Sequence, residues 1–185
     1  MPENRSQMTT DERKLAFDLV IFPNGKSQIS PDEFVRRFPS ALVSGKGDLR
    51  LIEKAYRQQN ADDLDAVLVI GAVFGFSADP VPVLCQLLSA KWHQRHEDIV
   101  GTLQQLKAPA AVDAVYSAAL DRHEYLAYDE FFGLARKCTW ALADIGTPDA
   151  LARLRLLTGN ENTVIAGYAQ KRIDKWNDER ARKES

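Results

Sequence analysis

Along most of the chain, apolar residues return every three or four positions, the spacing that gathers them on one face of an α-helix. The pattern is clearest from Trp92 to Leu120, where one amphipathic segment, an Ala108-Pro109 break and a second amphipathic segment follow one another. It returns between Leu64 and Phe76, after Pro80, from Phe131 to Gly146, after Pro148, and from Asn162 to Trp176. In the last of these, Val164, Ile165, Tyr168, Ile173 and Trp176 are predicted to share one side. Further upstream, Ser30 is placed to cap a helix and Pro31 suits its first position. Glu33 stands where a capping-box carboxylate reaches back, and Phe34, Val35 and Phe38 supply the apolar stripe. Asp48 is placed to cap the next helix, with Leu49, Leu51, Ile52 and Tyr56 facing inward and Asn60-Ala61 ending it.

Two stretches depart from this rhythm. Leu15, Phe17, Leu19 and Ile21 fall on alternate positions ahead of a Pro23-Asn24-Gly25 turn signal, which favours a strand, with a short amphipathic helix as the alternative. Met1 to Glu12 read as a loosely held start and the charged residues after Trp176 as a fraying tail. Ser44-Gly45-Lys46-Gly47 reads as a flexible linker, because no Gly-Lys-Ser/Thr opens the following helix as a phosphate-binding loop requires.

Amphipathic helices of this kind cannot bury their apolar faces alone and imply a stack of helix pairs. The breaks Ser77–Pro80, Lys107–Ala110 and Gly146–Asp149 each join one apolar helix to the next. They recur at about 30 and then about 40 residues, the longer interval holding the polar insertion Asp121–Glu130. The segment Ala141-Leu142-Ala143-Asp144-Ile145-Gly146-Thr147-Pro148-Asp149-Ala150-Leu151 resembles the turn between paired helices in the HEAT-like repeat family of the phycobilisome-lyase type. The resemblance extends from Leu64 to Trp176. It implies an all-α fold, a right-handed α-solenoid of roughly four to five HEAT-like helix pairs or half-pairs. A short irregular N-terminal segment over residues 1–27 would precede a solenoid domain over residues 28–185. Proteins of this class include scaffolds, lyases, hydroxylases, DNA glycosylases and toxin-neutralising immunity proteins.

Composition narrows these options modestly. The 185 residues are 45% hydrophobic and 27% charged, ordinary values for a folded domain with a sizeable core. A net charge of −2 supplies no general attraction to phosphate backbones or anionic membranes. No Lys or Arg occurs from Gln58 to Ala90, whereas Asp62, Asp63, Asp65 and Asp79 do, which disfavours nucleic-acid binding there. The polar N-terminus lacks the apolar run of a signal peptide, and Val67–Phe76 is too short to span a bilayer. Cys85 and Cys138 lie within apolar helical patterns, as packed free thiols do. A cytoplasmic protein without disulfides or cofactors is the expectation.

Three constellations compete as sites. His93, His96 and Glu97 spell H-x-x-H-E, which is not the zinc-protease order H-E-x-x-H, and His123-Glu124 supplies a second His-Glu pair. Iron-dependent hydroxylases of the HEAT-like class use such pairs at equivalent places in successive repeats. Here, with the breaks aligned, Glu97 corresponds to Arg136, so the resemblance fails at that position and no metal or catalytic residue is expected. His96-Glu97 is read instead as a helix start, its carboxylate near the positive end of the helix dipole. Cys138 has Arg136 and Lys137 beside it but sits between Leu134 and Leu142 at core spacing, so it is not expected to act as a nucleophile.

The third constellation is acidic and aromatic. Asp113, Asp121, Glu124, Asp129 and Glu130 outnumber Arg122, with Tyr116, Tyr125 and Tyr128 among them and Trp92 in the same repeat. Such aromatics can anchor a protein partner while carboxylates steer a basic one. Trp92, His96, Glu97, Tyr125, Tyr128, Asp129 and Glu130 are the expected partner-binding residues. The expected function is non-enzymatic: an immunity protein whose carboxylates occlude the active site of a basic toxin domain. The competing expectation is a metal-dependent hydroxylase or lyase using the His-Glu pairs.

Overall fold

The structure is a computed structural model that describes residues 8–21, 25–178 and 181. The expectations for Met1–Gln7, for Pro23-Asn24 and for most of the charged tail fall outside the described residues. Secondary structure is almost wholly helical, with one two-residue β-hairpin among the described residues. The contacts divide the chain into two compact units, the first ending at Val83 and the second starting at Leu84.

In the first unit the strand expected near residue 15 is a helix, α1 (Thr10–Phe17). Thr9 accepts from the backbone N–H of Glu12 while the Glu12 carboxylate accepts from the N–H of Thr9, a complete capping box. Helical spacing then buries Leu15 and Ala16 and leaves Phe17 and Ile21 exposed, the opposite of the alternation a strand would need. α1 packs on α4 (Ala61–Phe74) within the first unit. The contact is sealed by Asp63, 3% exposed, which accepts from the Met8 N–H at 3.0 Å and from the Arg13 guanidinium at 2.8 Å.

α2 (Pro31–Arg37) begins as expected with the Ser30 hydroxyl accepting from the Glu33 N–H. The Glu33 carboxylate, however, turns to Arg37 at 3.4 Å. Phe34 and Phe38 are buried, whereas Val35 is exposed. The presumed linker is ordered: β1 (Leu42–Val43) pairs antiparallel with β2 (Lys46–Gly47). Ser44 and Gly45 both take positive φ, the backbone that lets a two-residue turn match the twist of its strands. The Gly47 N–H donates to the Gly75 carbonyl at 2.8 Å, and the Ser77 N–H donates to Gly47, fixing the hairpin to the end of α4. α3 (Leu49–Gln58), capped by Asp48, also packs on α4. α4 is therefore the centre of this unit, burying Leu64, Ala66, Val67, Leu68 and Ile70, each larger side chain contributing about 2 kcal/mol.

α5 (Val81–Leu88) carries the boundary between the units and buries Leu84, Leu87 and Leu88. The second unit is built around α8 (Gly133–Ile145). α6 (His96–Leu106) and α7 (Val112–Leu120) each pack chiefly on α8 rather than on one another, although they are adjacent in sequence. α9 (Pro148–Thr158) and α10 (Thr163–Asp174) pack on each other and on α8. A central position requires burial on several sides, and α8 buries Leu134, Ala135, Cys138, Thr139, Ala141, Leu142, Ala143 and Ile145. On α10 the expected face is shifted: Val164 is exposed, while Arg172 is buried with its guanidinium 3.6 Å from the Trp140 ring centroid. The charge is held against an indole face rather than in a lipophilic void.

Candidate functional site

The chain has three histidines, and the second unit gathers all of them into one stack. His93 lies in the turn before α6, His96 is the first residue of α6, and His123 follows α7. The His93 and His96 ring centroids are 4.4 Å apart, and those of His96 and His123 are 3.7 Å apart. Trp92 meets His93 edge-on at 4.9 Å, and Tyr125 lies 5.7 Å from both His96 and His123. All three imidazoles are buried, His96 completely.

Backbone partners fix two of the tautomers. His93 Nε2 lies 2.9 Å from the Leu87 carbonyl, which can only accept, so Nε2 carries the proton. Its Nδ1 accepts from the Arg95 N–H at 3.1 Å. His96 Nε2 likewise donates to the Ala90 carbonyl at 2.8 Å, which leaves Nδ1 to accept from the Tyr125 hydroxyl at 2.9 Å. These contacts match the neutral form of both rings. His123 differs: its Nε2 is buried and, among the described residues, has no hydrogen-bond partner. Burial pushes the pKa of His96 down against the hydrogen bond to the Ala90 carbonyl, with Lys91 adding to the shift and Asp121 opposing it. His123 is lowered to about 4, by burial first and then by His96, Lys91 and His93 against the favourable charge of Asp121.

The stack underlies the insertion that joins α7 to α8. The Leu126 N–H donates to the His123 carbonyl, Ala127 to Glu124 and Asp129 to Leu126, giving a chain of tight turns. The Asp129 carboxylate accepts from the N–H of Phe131 and of Gly133, thereby capping α8. A Cβ at Gly133 would lie 3.0 Å from Asp129 Oδ2 and 3.1 Å from Glu97 Oε1, so the two carboxylates would have to give by a few tenths of an ångström. The Tyr168 hydroxyl, from α10, donates to the Phe131 carbonyl at 2.7 Å. With its backbone held at several points, the loop turns Tyr128 and Phe131 outward, 81% and 76% exposed. A cleft of about 430 Å³ runs beneath it, walled by Leu126, Phe132 and Leu134 and edged by Glu124 and Glu130.

The expected partner-binding residues separate into distinct groups. Tyr128 and Glu130 are exposed and free to meet a partner's surface. Glu97 is half-buried and pairs with Lys137 at 3.1 Å. Asp129 is committed to the loop backbone. Trp92 and Tyr125 are half-buried against the histidines, with Tyr125 bound to His96. His96 is 0% exposed and cannot touch a partner in this conformation; the helical start that placed it near the surface instead directs its ring beneath Tyr125. Phe131 was missed because the sequence rhythm runs straight through it, whereas α8 starts two residues later, at Gly133. His123 carried no sequence signal for the stack, which brings together residues 27 positions apart.

Nor do these residues assemble a metal centre. Among the described residues, no three His, Cys, Asp or Glu side chains are arranged to hold a metal ion. Cys138 is fully buried, and burial, with Glu97 and Asp121 adding to it, pushes its thiol pKa up, away from the nucleophilic thiolate. Among the described residues, no helix is long and apolar enough to cross a membrane. No protein-family model, curated protein or solved structure matches the chain.

Proposed function

We propose that the chain is a protein-binding module, its helices stacked as a HEAT-like solenoid, and that the Asp121–Phe132 loop is its recognition element. The observation that carries this reading is the exposure of Tyr128 and Phe131 on a loop whose backbone is pinned from both sides. A side chain presented from an ordered backbone loses little entropy on binding, and large aromatics are the usual anchors of protein interfaces. Glu124 and Glu130, exposed on the same loop, favour a basic partner. The specific form we favour is a bacterial, cytoplasmic immunity protein. The aromatic pair would dock on a toxin domain, and the carboxylates would fill the basic site where that domain takes its own substrate.

Affinity capture with the full chain, in parallel with a Tyr128→Ala/Phe131→Ala variant, tests the reading. The expected outcome is a basic protein retained by the wild type and lost by the variant. With that protein purified, each single substitution should weaken binding about thirty-fold, the measure of an interface anchor. Equal affinity of the wild type and the double variant would refute it.

A further inference from the structure

The histidine stack does more than fill space beneath the recognition loop, because two of its three rings have no place for a second proton. A proton added to His93 would go to Nδ1, directly against the Arg95 N–H that Nδ1 now accepts. His123 can charge only by carrying N–H on both nitrogens, one of them the buried Nε2, which has no acceptor among the described residues. His96 could turn its hydrogen bond with Tyr125 around, since a hydroxyl also accepts, but its charge would sit in a fully buried ring 3.7 Å from His123 and 4.4 Å from His93.

The surrounding charges do not relieve this. Lys91 opposes protonation of His96 and His123, and it pairs at 3.8 Å with Asp121, the one carboxylate that favours it. Glu97 is taken by Lys137 and Asp98 by Arg95, while Arg122 and Glu124 line the same cleft as His123 with opposite charges. The least costly escape is for the element that carries His123 and Tyr125 to move into water. That element is the loop itself, which is also tied by the Asp129 cap, the Tyr168 bond and the Lys91–Asp121 pair.

We propose that the three stacked histidines are an acid-sensitive latch: neutral, they hold the Asp121–Phe132 loop in its binding shape, and proton uptake releases it. The consequence for partner capture rests on the reading of that loop as the recognition element, but the latch itself can be tested without any partner.

Hydrogen exchange of the full chain between pH 7.5 and pH 4.5, corrected for intrinsic rates, provides the test. The amides of Leu126, Ala127 and Asp129 should lose protection about ten-fold more than those of α9, which serve as an internal reference. Equal behaviour of loop and α9, whether both persist or both open, would overturn the latch. Two variants separate it from titration of the Asp129 cap. His123→Phe removes the titrating ring and should keep the loop protected to lower pH, whereas Tyr125→Phe loosens the loop and should release it at higher pH. Unchanged release in either folded variant would count against the latch. A loop that opens while an identified partner's affinity stays constant with pH would uphold the latch and refute the loop as the binding element. A loop that stays closed while binding still requires Tyr128 and Phe131 would do the reverse.

Discussion

The two units bury polar groups by opposite means. In the first, Asp63 is sunk against α1 and paired with Arg13, and Asp48 and Asp18 are buried beside Arg50 and Lys14. In the second, the buried polar cluster is three imidazoles, two of them held by carbonyls, an N–H and a hydroxyl. A paired carboxylate keeps its favourable state until the pH falls into the carboxylate range. A buried neutral imidazole becomes unfavourable two units sooner, because the unfolded chain takes up the proton near pH 6.5. All three histidines, the side chains that ordinarily titrate in mild acid, lie in the second unit.

The largest effect should come from breaking the first arrangement. Asp63→Ala strands the Arg13 guanidinium and the Met8 N–H in a buried site and is expected to cost about 3–4 kcal/mol. Exchange at α1 and α4 should accelerate while α8 and α9 stay protected. A loss spread evenly over both units would erase the distinction drawn between them.

Acid should do the converse. His123, ordinarily near 6.5 and held at about 4 in the fold, contributes stability that is complete above pH 6.5 and lost progressively as the pH falls from there to 4. The loss amounts to about 3 kcal/mol, and His96, shifted in the same direction, adds to it. Denaturant unfolding followed at both units between pH 7 and pH 4.5 should show the second weakening and the first holding.

Smaller effects sharpen the picture around the loop. Glycine-to-alanine in a helix ordinarily gains up to about 1 kcal/mol, but Gly133→Ala should lose about that much, because its Cβ meets Asp129 and Glu97. Loop amides should report this loss before those of α10 do. Tyr125→Phe removes one half-buried hydrogen bond and should cost about 1 kcal/mol at neutral pH.

The helical class was legible because α8 and α9 repeat their apolar positions at a period their burial obeys, and because Pro31 and Pro148 mark the starts of α2 and α9. α1 was misread for a physical reason. Leu15, Phe17, Leu19 and Ile21 do alternate, but Thr9 and Glu12, three residues apart ahead of them, satisfy the free backbone donors of a helix start, and the helix wins. The Ser44-Gly45 turn was equally present in the sequence as a two-residue hairpin signal, yet strands of two residues leave no periodicity to find. At the site, the acidic-aromatic insertion was visible from composition alone. Its interior was not: His96 meets His123 and Tyr125 only after the chain folds back through α7, and no spacing rule reports that return. Nor could composition tell Tyr125, turned inward as a hydrogen-bond donor, from Tyr128 three residues later, turned outward.

The account stands most directly on the protonation state of the histidines, which nuclear magnetic resonance of the ring nitrogens reads one residue at a time. Above pH 7 the proton should sit on Nε2 of His93 and of His96. On further acidification His123 should titrate near pH 4, in step with the amides of Leu126, Ala127 and Asp129. Titration of His123 near 6.5 with those amides unmoved would contradict the account.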